Sequence, residues 1–224
     1  MEVVYEDNHI IIVNKRPGEI VQGDKTGDTP LVETVRQYIK ETYAKPGNVF
    51  CGLVHRIDRP VGGLVVFAKT SKALTRMNEL FRLGDVHKTY WAIVQGRPKQ
   101  PEAHLTHYIT SVERNNKSYA SLRPKEGASK SELIYRTLAE GENYTLLEID
   151  LITGRKHQIR VQLSTTGTPI KGDLKYGARR SNPDGSISLL ARSIRFVHPV
   201  SKKEIYIEAP IPDYKLWQSL AAMI

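Results

Sequence analysis

The stretch His55-Arg56-Ile57-Asp58-Arg59 crowds ionisable side chains into five residues and continues into Pro60-Val61-Gly62-Gly63. The proline and the paired glycines indicate a loop, and polar loop residues on a rigid sheet are where catalysis concentrates. A carboxylate between two arginines is expected to stay ionised at neutral pH, so Asp58 can act as a nucleophile or a base. The other interpretation is a surface turn closed by an Asp–Arg ion pair.

A second candidate is the segment Thr153–Arg160, which reads TGRKHQIR. Gly154 permits a tight turn, and the residues that follow are expected to start a helix. The backbone N–H groups of that start, together with Arg155 and Lys156, can receive a phosphate. An ordinary basic helix start without a ligand is the alternative.

A third candidate is the segment Lys88–Ala92, which reads KTYWA. Alternation along a strand places Tyr90 and Trp91 on opposite faces. One ring is then expected in the core, while the other is available to stack on a nucleic-acid base.

Metal and cofactor chemistry have no visible support in the sequence. His104 and His107 lie three apart in a presumed strand and therefore point to opposite faces, and no carboxylate or thiol cluster completes a metal site. There is no glycine-rich loop of the kind that cradles nucleotide phosphates. Cys51 near His55 is a weak signal for a cysteine protease. We expect neither a metal nor a cofactor.

The chain has 224 residues and one cysteine. This length suits a single β-rich domain, and we expect one domain spanning residues 1–224. The N-terminus has neither a basic start nor a long apolar run, and no internal disulfide can form. The sequence therefore predicts a cytoplasmic protein without a membrane span.

The net charge of +9 is concentrated in one part of the chain. Residues 151–203 hold eleven lysines and arginines against two acids, while the remaining chain carries 22 of each sign. A localised basic surface is the expected footprint of a polyanion partner. A solvated basic face without a ligand is the alternative.

The hydrophobic pattern predicts the elements that must position these residues. The expected strands are a hairpin within residues 3–13 and strands at 64–68, 89–94, 105–109, 131–138, 144–152, 189–197 and 204–208. The expected helices are 30–42, one capped by Ser71 and ended by Gly84, 156–165, and one starting at Asp213. Consecutive strands joined by short turns favour an antiparallel or mixed sheet with peripheral helices, which is the α+β class.

Taken in order, these segments resemble the RluA-type family of RNA pseudouridine synthases. The family signature of His-Arg-Leu-Asp before a strand ending in Ala-Lys is similar to His55–Asp58 with Leu64–Lys69. The Lys-x-Tyr-x-Ala element is similar to Lys88–Ala92, and Thr-Gly-Arg-x-His-Gln-Ile-Arg is similar to Thr153–Arg160. Downstream, Pro169–Asp173 and Tyr176-Gly177 match further elements of the family.

The resemblance implies a bent, mainly antiparallel mixed sheet with flanking helices and a central basic cleft. It implies that Asp58 is the catalytic carboxylate, that Tyr90 contacts the target uracil and that Arg160 pairs with Asp58. Arg56 would displace the flipped base and take its place in the RNA. The residues expected to contact RNA are His55, Arg56, Arg59, Arg155, Lys156, His157, Lys171 and Lys175.

Two departures from the family pattern stand out. Val61-Gly62 replaces the more usual Thr-Ser and keeps Gly63 as the expected turn former, and Leu190 stands where a histidine is frequent. The catalytic pattern begins at residue 3, so the basic N-terminal domain of many family members is expected to be absent.

The expected reaction is a cofactor-free isomerisation of uridine in a tRNA or rRNA stem-loop by a monomer. Asp58 would either attack C1′ or take a proton from C2′, and the sequence favours neither route. Two rival functions remain at this point. One is a non-catalytic RNA-binding protein, and the other is a nucleoside or glycoside hydrolase, which needs a second carboxylate.

Overall fold

The computed structural model describes residues 1–224, which form two compact units. The first unit comprises Met1–His87 and Ala191–Ala209, and the second comprises Lys88–Leu190 and Pro210–Ile224. The chain contains eleven strands and four α-helices, and the sheet is mixed, which confirms the α+β prediction.

The elements are numbered along the chain. The strands are β1 (Glu2–Glu6), β2 (Ile10–Lys15), β3 (Gly52–Leu53), β4 (Gly62–Ala68), β5 (His87–Gln95), β6 (Glu102–Val112), β7 (Lys117–Ser121), β8 (Ser129–Glu140), β9 (Tyr144–Leu151), β10 (Leu189–Val197) and β11 (Glu204–Glu208). The helices are α1 (Leu31–Thr42), α2 (Ser71–Leu83), α3 (Gln158–Thr165) and α4 (Lys215–Ala221).

The first unit is built on the strand order β1-β2-β4-β10, with β3 paired to β4 and β11 paired to β10. β2 and β4 consist almost entirely of buried residues, as strands covered on both faces do. Val35 and Ile39 of α1 pack with Ile11, Val13 and Phe67 of these strands in one cluster. The predicted hairpin and first helix are therefore confirmed.

Helix α2 ends as predicted but starts differently. The hydroxyl of Thr70 accepts a hydrogen bond from the backbone N–H of Ala73 at 3.1 Å, so Thr70 is the N-cap. The prediction of Ser71 as the cap was wrong by one residue, because two hydroxyl residues stand side by side and either can cap. Gly84 ends the helix with a φ of 82°, the left-handed conformation that favours glycine.

The second unit has the strand order β5-β9-β8-β6-β7, with antiparallel pairing throughout this path. Strand β7 was not predicted, because it is short and consists of small and polar residues without a clear hydrophobic period. Helix α3 starts at Gln158 and not at residue 156, because His157 adopts a left-handed φ of 55° that interrupts the helical backbone.

No helix has the length and apolar character needed to cross a membrane.

Candidate active site

Asp58 lies half-buried in the loop that joins β3 to β4. Its carbonyl oxygen accepts a hydrogen bond from Val61 N at 3.0 Å, which closes a turn. The neighbouring carbonyl of Arg59 accepts from Gly18 N at 2.8 Å and from Lys15 Nζ at 3.1 Å. The main chain at Asp58 and Arg59 is therefore fixed by backbone and side-chain donors.

Lys15, the last residue of β2, is the functional candidate that the sequence analysis missed. Its side chain is 1% exposed, and Nζ donates to the carbonyl oxygens of Arg16 (2.9 Å) and Arg59. Burial lowers the pKa of Lys15 to about 8, while the negative charges of Glu19 and Asp58 act in the opposite direction. Lys15 is therefore a buried cation that interacts electrostatically with Asp58, and its hydrogen bond to the Arg59 carbonyl holds the loop that carries Asp58.

The basic neighbours of Asp58 have different surroundings. The ring of His55 stacks on Phe81 with centroids 5.0 Å apart, and its Nε2 accepts from Val66 N at 3.1 Å. Arg59 is exposed and forms an ion pair with Asp28. Arg56 is exposed. The protein therefore uses His55 to anchor the loop, and it presents Arg56 to the solvent.

Gly63 is required by close packing and not by a turn, contrary to the sequence prediction. It lies inside β4 with a φ of 111°, and a Cβ there would be 2.6 Å from the backbone nitrogen of Ala191 in β10 and closer to its carbonyl oxygen. A Cβ at Gly62 would be 3.3 Å from the Pro17 ring. The preceding residue, Val61, is buried and contributes packing where the family pattern has a hydroxyl.

Tyr90 lies in β5 of the second unit and is 8% exposed. Trp91 is half-buried, and its Nε1 donates to Glu148 at 3.2 Å. The two rings belong to successive residues of one strand, so they point to opposite faces as predicted. The role of Tyr90 in binding uracil stays a prediction at this point.

Arg160 in α3 is 5% exposed and forms a bidentate ion pair with Asp173. Its Nε and Nη2 donate to the two carboxylate oxygens at 2.7 and 2.9 Å, and the guanidinium lies 5.1 Å from the Tyr176 ring centroid. Asp173 is 1% exposed. This carboxylate, which had no predicted role, fixes the plane of the guanidinium.

The start of α3 is built differently from the predicted phosphate receptor. The side-chain oxygen of Gln158 accepts from Arg155 N at 3.0 Å and from the Thr153 hydroxyl at 2.8 Å. The Arg155 N–H is therefore occupied within the protein, while the phosphate contacts predicted for the side chains of this segment stay predictions. The side chains of Arg155 and Lys156 remain exposed.

The remaining predicted RNA contacts are spread over the second unit. His157 is buried, and its Nδ1 lies 2.8 Å from the Tyr176 hydroxyl, which accepts from Ser118 N. Lys171 is half-buried and bonded to Asn182, and burial lowers its pKa. Lys175 is exposed and donates to the carbonyl oxygen of Asn116 at 2.9 Å.

Other chemistries have little support in the structure. No group of three or more His, Cys, Asp and Glu side chains is arranged to hold a metal ion. His107 is buried next to Gln162, with 3.1 Å between Nδ1 and Nε2, and so is a core residue. Cys51 is buried, and burial raises the pKa of its thiol to about 12, which disfavours the thiolate that a cysteine protease needs.

The fold matches that of solved pseudouridine synthase structures. The human RNA pseudouridylate synthase domain containing 4 superposes with a TM-score of 0.80 at 23% identity, over 96% of this chain and 90% of that one. The human RNA pseudouridylate synthase domain containing 1 gives a TM-score of 0.75, also at 23% identity, over 99% and 86%. These likenesses define the class of fold.

Sequence comparison narrows the class to a family. The family model described as RNA pseudouridylate synthase matches residues 9–165. Ribosomal large subunit pseudouridine synthase C of Vibrio cholerae is 34% identical over 99% of this chain and 69% of its own length. Synthase D of Zymomonas mobilis is 30% identical over 95% and 70%. The chain therefore belongs to the RNA pseudouridylate synthase family, and it is an isomerase that acts on RNA.

Proposed function

We propose that this enzyme isomerises specific uridines of large-subunit ribosomal RNA to pseudouridine, with Asp58 as its catalytic carboxylate. The ribosomal substrate is supported by the names of relatives at 30–34% identity, and it is preferred over tRNA for that reason. We place the activity in the cytoplasm, in a monomer whose residues 1–224 work as one catalytic domain without a cofactor.

The observation that carries the proposal is the half-buried Asp58 on a loop whose main chain is held by Lys15 and Gly18. A carboxylate fixed in this way can be aimed at one atom of a bound sugar without reorganising during the reaction.

The reaction breaks the N1–C1′ bond of uridine, turns the uracil and forms a C5–C1′ bond in its place. In one route Asp58 attacks C1′ and is displaced when C5 bonds to that carbon. In the other it removes the C2′ proton, forms a glycal, and returns the proton after the new bond is made. In both routes C5 loses its proton at the end and N1 gains one, so that no atom or electron is gained or lost overall.

The other proposed residues assist this chemistry. Tyr90 stacks on the released uracil, and its hydroxyl takes part in removing the C5 proton. Arg160, with its guanidinium plane fixed by Asp173, pairs with Asp58 and orients its carboxylate. Because helical RNA hides C1′, the target is flipped out of the stack, and Arg56 fills the gap that it leaves.

The contacts to RNA outside the target are proposed for the exposed side chains of Arg155, Lys156 and Lys175. His55, Arg59, His157 and Lys171 were also predicted to contact RNA. His55, His157 and Lys171 are at least half-buried and bonded within the protein, and Arg59 forms an ion pair with Asp28. We therefore assign these four to shaping the RNA surface.

The test uses large-subunit ribosomal RNA transcribed with 5-tritiated uridine. Asp58→Asn is expected to abolish tritium release while RNA binding in a filter assay stays near the wild-type level, because the change removes a charge and keeps the shape. Asp213→Asn, at an exposed position near the C-terminus, is the matched control. Tritium release by Asp58→Asn at the wild-type rate would refute the catalytic role, and accumulation of free uracil would indicate hydrolysis instead.

A further inference from the structure

A polar pocket of about 730 Å³ lies in the second unit, at the end of β5. Gln95, the last residue of that strand, lines it, and Gln95 is five residues beyond Tyr90. At about 3.4 Å per residue, the pocket lies ~17 Å along the strand from Tyr90. None of the residues assigned above to the reaction lines it.

The walls carry side chains of three chemical kinds. Arg179 and Arg180 are exposed cations, Tyr144 is a half-buried aromatic residue, and Glu142 is an exposed carboxylate. The volume lies in the range of sites that bind small molecules, about 300–1,000 Å³. Cations, a ring and a carboxylate in one pocket match the phosphate, base face and base edge of a nucleotide.

Hydrogen bonds within the second unit hold the walls in place. Gln95 N donates to Pro169 O at 2.9 Å, and Gly96 N donates to Asn143 O at 2.9 Å. The side-chain oxygen of Gln95 accepts from Arg179 N at 3.3 Å, which positions the arginine pair. These hydrogen bonds, all within the protein, fix the positions of the residues that form the walls.

Three glycines with positive φ also line the pocket: Gly96 (74°), Gly167 (90°) and Gly177 (98°). A Cβ on Gly96 or on Gly167 would have no atom within 4 Å, so both positions border open space. Bare backbone on the wall allows a ligand to approach closely.

We propose that this pocket binds one nucleotide of the RNA substrate, at a position a few nucleotides away from the isomerised uridine. Arg179 and Arg180 receive its phosphate, Tyr144 stacks on its base and Glu142 accepts a hydrogen bond from the base. Guanine, cytosine and adenine carry an exocyclic amino group that can donate to a carboxylate, whereas uracil has only N3–H, which lies between two carbonyl oxygens that repel a carboxylate. The pocket therefore prefers amino-bearing bases. This inference rests on the proposed function in one respect: that the bound nucleotide belongs to an RNA substrate.

The direct test is a titration of the isotopically labelled full-length protein, followed by NMR of the amide signals of Gly96, Gly167 and Gly177. The probes are GMP, CMP, AMP and UMP, with inorganic phosphate and guanosine as partial ligands. We expect saturable shifts with the three amino-bearing nucleotides at millimolar concentrations, and much smaller shifts with UMP, phosphate or guanosine.

Variants connect the shifts to the side chains. Arg179→Ala/Arg180→Ala is expected to weaken nucleotide binding by about tenfold or more, and Glu142→Gln to reduce the preference over UMP. Lys72→Ala/Arg76→Ala removes two exposed cations from α2 of the first unit and is expected to leave the shifts unchanged. In the tritium assay, the Arg179/Arg180 variant is expected to raise KM with little change in kcat.

Three results would overturn the inference: no shift of the glycine amides, equal shifts with phosphate alone, or unchanged binding by the Arg179/Arg180 variant. These outcomes are separate from the failure of the proposed function. If the wild-type protein binds GMP at these glycines and releases no tritium from ribosomal RNA, the pocket stands and the ribosomal assignment falls.

Discussion

Arg160, unlike the exposed Arg56 and Arg59, is buried together with a charged partner. Arg160 and Asp173 are both nearly inaccessible and form a bidentate pair. A buried ion pair of this kind adds little net stability, but removing one partner leaves an uncompensated charge. We interpret the pair as a device that fixes the orientation of Arg160.

Lys15 gives a pH-dependent prediction at this scale. Its pKa in the folded protein, about 8, lies below the reference value of 10.5, so folding opposes its charged form. The unfolded chain then holds more protons than the folded protein between pH 8 and 10.5. The free-energy cost of burying this lysine therefore falls as the pH rises through that range, and the protein becomes more stable. Below pH 8 the full cost of the buried charge is present.

The measurement is urea unfolding of the wild type and of Lys15→Met at pH 7 and at pH 9.5. We expect the wild type to gain stability relative to Lys15→Met as the pH rises, because methionine is unbranched like lysine, is one atom shorter and carries no titratable group. Other titrating groups are common to both proteins and cancel in the difference. Parallel stability profiles would show that Lys15 does not titrate in this range.

At this scale the sequence allowed Asp58, Tyr90 and Arg160 to be singled out, because motif resemblance identifies residues one by one. Lys15 and Asp173 were not identified as part of the site. Their importance arises from partners distant in sequence: Lys15 binds the carbonyl of Arg59, and Asp173 pairs with Arg160. Neither contact has a local periodic signature.

Most elements follow from local sequence. Strands β10 and β11 have the predicted bounds, and α1 differs from its prediction by one residue, because its apolar residues at helical spacing cover the core. The misses are the two-residue β3, the weakly patterned β7, the N-cap of α2 and the first turn of α3, where the left-handed backbone of His157 interrupts the helix.

The close approach of β4 and β10 gives a prediction for Gly63. Gly63→Ala places a methyl group against the Ala191 backbone and forces a side chain into positive φ. We expect a loss of about 3 kcal/mol or more in the free energy of unfolding, or failure to fold. Gly23→Ala, where a Cβ would have no atom within 4 Å, is the control. Thermal melts of both variants provide the measurement, and equal melting temperatures would contradict the assigned contact.

The asymmetric charge is a property of the whole molecule. Residues 151–203 carry eleven basic and two acidic side chains, and this excess of positive charge suits an enzyme that acts on a polyanion. Affinity for RNA built on phosphate contacts falls steeply with salt, since each contact releases counterions.

The salt dependence of ribosomal RNA binding tests these phosphate contacts, and it is measured as the slope of log K against log salt concentration. Arg155→Gln/Lys156→Gln removes two exposed cations and is expected to make this slope shallower by about 1 to 2, if both side chains contact phosphates. Lys72→Gln/Arg76→Gln in α2 is the control of equal charge. An unchanged slope in the first variant would exclude its two residues from the RNA interface.

The division into units has a consequence for biosynthesis. The first unit combines residues 1–87 with 191–209, so β10 and β11 leave the ribosome only after the second unit's residues 88–190 have been made. At about 5–20 residues per second, β4 stays without its β10 neighbour for on the order of 10 s. That waiting period makes the apolar β4, more than any exposed loop, the segment on which a chaperone would act during synthesis.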